Sequence, residues 1–181
     1  MRNNLSVPVL LGLSAVVGLA ACGGAVDPTG KMGDPEGNML LNGITRQHNL
    51  ARESVSPAAS SPLPALAWSS TLAATAQAWA DGCKFSHSGG PHGENIYATS
   101  GTSTPTDVVG SWVSEKSKYN YANNSCSGTC GHYTQVVWAA SLNLGCGVKN
   151  CTQNSPFGSS SWQFWVCNYD PPGNFIGQKP Y

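Results

Sequence analysis

Charged side chains are scarce in this sequence. Of its 181 residues only 10% are Asp, Glu, Lys or Arg, and the formal net charge is zero. A protein that binds nucleic acid needs a clustered cationic face, and one held electrostatically on a membrane surface needs a polybasic segment. The low and balanced charge argues against both classes, and we expect no nucleic-acid partner.

Long apolar runs are also missing. The most apolar segment, residues 5–19, is shorter than the roughly 20 residues that a membrane-spanning helix needs. It follows Arg2 and leads into Leu-Ala-Ala-Cys at residues 19–22, an order typical of a bacterial lipobox. We therefore predict a signal peptide over residues 1–21 and lipidation of Cys22; the alternative is an ordinary signal peptide with Cys22 merely nearby. Both kinds of signal peptide predict an extracytoplasmic protein. The lipobox further predicts a membrane-anchored lipoprotein, in the outer membrane if the host has one.

The cysteine count fits an exported domain. Without Cys22 the sequence keeps six cysteines: Cys83, Cys126, Cys130, Cys146, Cys151 and Cys167. An even number in an exported domain predicts three disulfides. Zinc binding by these cysteines is the alternative, but none of them forms the C-x2-C pairs of zinc ribbons. The residues alone do not select one pairing.

The chain reads as one domain behind a tether. Residues 22–36 are rich in Gly, Pro and Asp and predict a flexible tether, whereas residues 37–181 form the domain. Apolar residues at helical spacing predict a helix after Gly37, a second from Ser69 or Ser70, and a third from Pro105 with Thr104 as its cap.

Strands dominate the second half of the domain. We predict β-rich runs at residues 132–140, 144–150 and 161–169, a turn at 154–160 that makes a hairpin, and a loop or short strand around 94–98. Helices first and strands later indicate an α+β domain with an antiparallel sheet.

Four titratable residues are candidates for a site. Glu115 interrupts the apolar stripe of the third helix, so it needs a donor, a cation or a water-filled cavity, unless it reaches solvent at the edge of the core. His87 follows a helix end, Glu94 lies in a glycine-rich loop, and His132 opens a predicted strand. Imidazole and carboxylate both suit Zn²⁺, although each histidine taken alone fits a structural role better.

Other motifs give less. His92 is a further potential ligand that we interpret as part of the loop, and His48 is predicted to be a hydrogen-bonded core histidine. The sequence contains no glycine-rich phosphate loop and no G-x-S-x-G elbow.

Several motifs, in order along residues 37–181, carry a family resemblance. They are GHYTQVVW at 131–138, CNYDPPGN at 167–174, GQKPY at 177–181, LAWSSTLA at 66–73, HNxxR at 48–52 and WVSEK at 112–116. The domain resembles the CAP superfamily, which includes cysteine-rich secretory proteins, antigen 5 and plant pathogenesis-related proteins of the first class. The lipobox, the tether and His92 depart from that pattern.

The resemblance implies a disulfide-braced α-β-α sandwich with a central antiparallel sheet. It also implies a cleft lined by two histidines and two glutamates, carried over by motif as His87, Glu94, Glu115 and His132. The disulfides implied by the same resemblance are Cys83–Cys151, Cys146–Cys167 and Cys126–Cys130.

Three functions compete at this point. The resemblance favours a module that binds a small sterol-like or lipid ligand, together with Zn²⁺ or another divalent cation in the His/Glu cleft. The first alternative is a surface or defence-type scaffold without chemistry. The second is a metal-dependent hydrolase, with a carboxylate as general base.

Overall fold

A computed structural model describes residues 36–158 and 161–181 of the chain. The predicted signal peptide, Cys22 and the tether up to residue 35 lie outside these residues. Glu36 is buried, and its carboxylate accepts the backbone N–H of Thr45 at 3.2 Å. This residue therefore packs on the domain, whereas the sequence assigns it to the tether. Within the described part of the chain, no helix is long and apolar enough to cross a membrane.

The described residues form four helices, one 3-10 turn and six strands. The helices are α1 (Ile44–Glu53), α2 (Ser70–Asp81), α3 (Pro105–Ser114) and α4 (Gly131–Val136), with the 3-10 turn Glu115–Lys118 directly after α3. The strands are β1 (Ala67–Trp68), β2 (Gly93–Thr99), β3 (Tyr119–Asn120), β4 (Ser125–Cys126), β5 (Asn143–Cys151) and β6 (Trp162–Asp170).

The main sheet has the strand order β1-β5-β6-β2. Strands β5 and β6 form the predicted hairpin, and β2 pairs antiparallel with the other edge of β6. The two-residue strand β1 joins β5 in parallel, which is a small departure from an all-antiparallel sheet. Strands β3 and β4 pair separately.

Both faces of the sheet are covered by helices. On one face Phe164 and Val166 of β6 pack with Ala76 and Ala80 of α2. On the other face the intervening β6 residues pack in one cluster with residues of α1, α3 and α4: Trp165, Cys167, Tyr169, Ile44, Val108, Trp112, Tyr133 and Val136. Burial on both faces explains the apolar run at residues 164–167 of β6. The structure is the α-β-α sandwich that the family resemblance implies.

Two glycines let α2 approach the sheet closely. A Cβ built on Gly145 of β5 lies 2.1 Å from the backbone nitrogen of Ala73, and one on Gly147 lies 2.4 Å from that of Gln77. Only a residue without a side chain fits at either position. The side-chain amide of Gln77 then pairs with the backbone of Val148, which fixes α2 along β5.

The six cysteines form three disulfides, with the pairing that the resemblance implies. Cys83–Cys151 joins the segment after α2 to the end of β5, and Cys146–Cys167 crosses paired positions of β5 and β6. Cys126–Cys130 closes a short loop before α4.

The predicted strand over residues 132–140 is wrong. Residues 131–136 form helix α4, so His132 lies in the first turn of a helix rather than at the start of a strand. Tyr133, Val136 and Val137 are buried together, and their spacing of three and four residues is that of a helix face. Their aromatic and β-branched side chains favour strands only where a pleated surface is available, and tertiary packing decides otherwise here.

Candidate functional site

Glu115 and His132 form a partly buried pair. The Nδ1 of His132 lies 2.7 Å from one carboxylate oxygen of Glu115, and the other oxygen accepts the backbone N–H groups of His132 at 3.0 Å and Tyr133 at 3.3 Å. These two N–H groups belong to the first turn of α4, which lacks a capping side chain of its own. Glu115 therefore caps α4 and orients its histidine.

His87 and Glu94 form a second pair of the same kind. The Nδ1 of His87 lies 2.8 Å from a carboxylate oxygen of Glu94, which also accepts the backbone N–H of Ser88 at 2.9 Å. The Glu94 side chain is only 7% exposed, whereas that of His87 is 61% exposed. The second oxygen of Glu94 is buried and has no hydrogen-bond partner in the described residues.

The two histidines line one open cavity of about 400 Å³. Glu94, His92 and Asn95 also contribute to its wall, whereas Glu115 reaches it only through His132. A carboxylate accepts but does not donate, so each paired histidine carries its proton on Nδ1 and its free lone pair on Nε2. The carboxylates thus set the tautomer of both histidines, as carboxylates do behind metal-binding histidines.

The donor set suits a divalent cation, but it is not assembled. Two imidazole Nε2 atoms and the unpartnered oxygen of Glu94 are ligands that Zn²⁺ accepts. Within residues 36–158 and 161–181, however, no three His, Cys, Asp or Glu side chains lie close enough together to hold a metal ion. Binding would require a side-chain rotation, which the exposure of His87 allows.

A protein-family model matches a long segment of the sequence. The model of the cysteine-rich secretory protein family, CAP, matches residues 45–169. The chain belongs to the CAP family. The match includes all four residues of the predicted cleft, and it ends at the last residue but one of β6.

Plant and animal CAP proteins resemble the chain over most of its length. It is 39% identical to pathogenesis-related protein 1 of Arabidopsis thaliana over 170 residues, which cover 92% of this chain and 94% of the relative. It is 40% identical to GLIPR1-like protein 1 of Mus musculus over 154 residues, covering 78% and 64% of the two chains.

Solved CAP structures share the fold. The structure of NaASP2 with Zn²⁺ superposes with a TM-score of 0.64 and 25% identity, over 78% of this chain and 84% of that one. Venom allergen-like protein 4 of Schistosoma mansoni superposes with a TM-score of 0.60 and 27% identity, over 76% and 90%.

A second cavity of about 520 Å³ lies beside the first in this CAP domain. The apolar part of its wall comes from Tyr119, Trp138, Phe175, Pro180 and the Cys126–Cys130 disulfide, and polar side chains line the rest. Thr129, Gly131 and Asn174 line both cavities. Sequence reasoning missed this cavity, because its wall combines the loop before α4 with the C-terminal segment, and no local pattern joins them.

Asn174 holds the partition between the two cavities. Its side chain accepts the hydroxyl of Thr134 at 2.6 Å and donates to the carbonyl of Gly131 at 2.8 Å. Its backbone has a positive φ of 61°, a conformation that asparagine tolerates better than most residues. The signal that could have identified it is its place at the end of the CNYDPPGN motif.

Two buried polar residues beneath the site were also missed. Asn95 donates to the carbonyl of His132 at 3.0 Å and to the hydroxyl of Tyr169 at 3.1 Å. That tyrosine also contacts Nε2 of His48 at 2.8 Å, and Nδ1 of His48 lies 2.8 Å from the carbonyl of Ile44. This series of hydrogen bonds links α1 to the first turn of α4, and it confirms His48 as a hydrogen-bonded core histidine.

Burial determines the charge states of the titratable residues beneath the site. It lowers the pKa of His48 to about 4, so the ring is neutral at neutral pH, and it raises the pKa of Tyr169 well above its ordinary value. Burial also lowers the pKa of Arg52 to about 10, which still leaves the guanidinium charged. Arg52 donates to four carbonyl groups, those of Pro64, Val136, Trp138 and Ser141. No sequence pattern indicated this role for Arg52, which binds carbonyl groups at the C-terminal end of α4.

Proposed function

We propose that this protein is an exported, lipid-anchored CAP-domain protein that binds a small apolar ligand, such as a sterol or another lipid, and a divalent cation in the His/Glu cleft. The observation that carries the proposal is the aromatic cavity beside the histidine cavity. The family membership supports the class of protein, and the three disulfides fit an extracellular location.

The size and wall of the aromatic cavity suit such a ligand. Small-molecule sites have volumes of about 300–1,000 Å³ and mostly apolar walls with few polar groups. The cavity of about 520 Å³ falls in this range, and Asn124, Thr129, Thr134, Asn174 and Gln178 supply the polar groups of its wall. Phe175 lies against Trp138, with 6.0 Å between ring centroids, and is half exposed. A bound apolar molecule would cover this exposed half.

A matched pair of variants tests the ligand site. Phe175 lines the cavity, whereas its neighbour Ile176 is fully exposed and does not. Covering half a phenylalanine contributes about 1 kcal/mol, or roughly a fivefold change in affinity. We expect Phe175→Ser to weaken uptake of fluorescent sterol and fatty-acid probes by about this factor, and Ile176→Ser to leave it unchanged.

The outcomes of that titration separate the alternatives. Equal losses in both variants would show that the apolar tip at residues 175–176 acts as a surface patch and not as a cavity wall. If the wild-type protein takes up nothing from a broad lipid panel, the binding function is refuted and a surface scaffold becomes the better reading.

The cation part of the proposal rests on His87, His132 and Glu94. Their free nitrogen and oxygen atoms suit Zn²⁺, and a relative of the same fold has been solved with that ion. A bound Zn²⁺ would supply a Lewis acid at the mouth of the cavity. Native mass spectrometry of the oxidised protein should show a metal mass that a His87→Ala/His132→Ala variant loses, and a spectrum without metal at micromolar Zn²⁺ would refute this part.

The geometry favours binding over hydrolysis. A general base must accept a proton from water, but both oxygens of Glu115 already accept hydrogen bonds from the first turn of α4. Glu94 keeps one free oxygen, which the proposed cation would occupy. Neither carboxylate is then free to activate a water molecule.

The proposed contact with the membrane is made through Cys22. We infer that lipidation of Cys22 anchors the protein and that the tether holds the domain near the membrane. A Cys22→Ser variant should move from the membrane fraction to the soluble extracytoplasmic fraction, and an unchanged distribution would exclude the anchor.

A further inference from the structure

A third histidine faces the same cavity as His87 and His132. His92 lies in the loop before β2 and lines the cavity of about 400 Å³ with them. Its side chain is only 28% exposed, although the loop around it is rich in glycine. The sequence interpretation of His92 as part of the loop does not explain why the ring turns inward.

Each of the three histidines stands next to a carboxylate. His87 pairs with Glu94 and His132 pairs with Glu115, while Nδ1 of His92 lies 3.7 Å from a carboxylate oxygen of Asp170. The first two contacts are hydrogen bonds, and the third is a longer contact beyond hydrogen-bond distance. A carboxylate behind an imidazole raises the basicity of the ring and orients it toward a metal.

We propose that His92 is a third imidazole ligand of the cation site, which makes the site selective for Zn²⁺ and similar transition metals. This inference rests on the proposed cation binding and specifies its ligands. Three imidazoles and a carboxylate form a set that suits Zn²⁺, whereas Ca²⁺ and Mg²⁺ require mostly oxygen ligands. A site with two histidines and two carboxylates would discriminate less between these ions.

The exposed side chain of His87 provides the movement that assembly requires. No three candidate ligands lie within reach of one ion in the described residues, so at least one ring must move inward. His132 is fixed by Glu115 and by its place in α4. His87 belongs to the segment before β2, and its side chain is 61% exposed, so we expect rotation of this ring to bring the ligands together.

Metal titrations on the purified, fully oxidised protein test the proposal. We expect wild-type protein to bind Zn²⁺ at least tenfold tighter than Mg²⁺ or Ca²⁺. We expect His92→Asn to weaken Zn²⁺ binding by at least about tenfold, because loss of an outer-shell partner alone costs about tenfold to a hundredfold, and to leave Ca²⁺ binding unchanged. Asp170→Asn keeps the ring and removes its carboxylate, so a smaller loss is expected.

A spectroscopic measurement on the wild-type protein avoids the risk that a variant misfolds. Zinc addition should shift the side-chain nitrogen signals of three histidines in a ¹H–¹⁵N spectrum, while His48 stays unchanged. If only His87 and His132 shift, or if His92→Asn binds Zn²⁺ as tightly as wild type, His92 is not a ligand although cation binding stands. If no histidine signal shifts, both the inference and the proposed cation binding are overturned.

Discussion

Replacing Glu115 by alanine should destabilise the whole domain, independently of any cation. The carboxylate accepts two backbone N–H groups at the start of α4 and the ring Nδ1 of His132. Helix α4 has only six residues, and its own N-cap residue, Cys130, supplies no side-chain hydrogen bond. Because a helix this short is unstable on its own, its N-terminus depends on Glu115.

The expected loss follows from the contacts that disappear. Removing an N-terminal cap costs about 1 kcal/mol, and removing a negative charge from a helix N-terminus costs about 0.5 kcal/mol. The Glu115 side chain is only 13% exposed, so its former partners are poorly hydrated after the substitution. We expect a total loss of about 2 kcal/mol in the free energy of unfolding. For a chain of this size, this corresponds to a melting temperature lower by about 4–8 °C.

Urea denaturation of the oxidised protein in the presence of EDTA provides the measurement. Glu53→Ala is the matched control, because Glu53 is exposed at the last position of α1, and we expect a change within about 0.5 kcal/mol. Glu115→Gln keeps one acceptor oxygen and loses the charge, so an intermediate value is expected. A free energy of unfolding for Glu115→Ala equal to that of wild type would refute the capping role and leave a ligand role as the explanation for this glutamate.

Three further predictions concern the core and the loop before α4. The pKa of His48 is about 4 in the folded protein against an ordinary value of 6.5, so the unfolded chain binds a proton at a higher pH than the folded protein does. The free energy of unfolding should therefore fall by about 3 kcal/mol as the pH drops from 6.5 to 4. A His48→Gln variant should lose this dependence in urea titrations at pH 7 and 4. Gly145→Ala should cost at least about 2 kcal/mol because its Cβ would clash with α2, whereas Gly110→Ala, in the exposed middle of α3, should stabilise by about 0.5–1 kcal/mol in thermal melts. Replacing Cys126 and Cys130 by serine should cost about 2 kcal/mol in chemical denaturation, since the loop that they close spans a sequence separation of only 4.

Each of these three has an outcome that contradicts it. An unchanged pH profile in His48→Gln would mean that the ring is not the group that titrates. Equal effects of alanine at Gly145 and Gly110 would place α2 farther from the sheet than the structure does. A serine pair that melts like wild type would show that the Cys126–Cys130 bond does not constrain the unfolded chain.

The sequence predicted the long elements and missed the short helix at the site. Helices α2 and α3 carry their own caps, Ser69 and Thr104, so local residues determine where they begin. Strand β6 has an apolar run at residues 164–167 that is long enough to predict a strand with both faces buried. Helix α4 is different, since its cap comes from Glu115, sixteen residues before Gly131. The pattern of residues 131–138 alone therefore does not predict that contact.

The same limit applies to the candidate site. The motifs identified His87, Glu94, Glu115 and His132, and the structure brings them together as two pairs. The inward position of His92 and the aromatic cavity depend on segments that meet only in the folded domain. A cavity has no sequence signature of its own when its wall comes from a loop and from a C-terminal segment forty residues or so farther along.

The two glutamates of the cleft have different roles, one in folding and one in binding. Both oxygens of Glu115 are used by α4 and His132, so the fold alone requires this residue. Glu94 is buried with one oxygen unpartnered, which costs stability unless something binds there. A cation or a ligand hydroxyl would offset that cost, but the fold gains nothing from the free oxygen. Glu94→Gln is therefore the variant that separates binding from folding, because it should weaken cation binding without lowering the free energy of unfolding by more than about 1 kcal/mol.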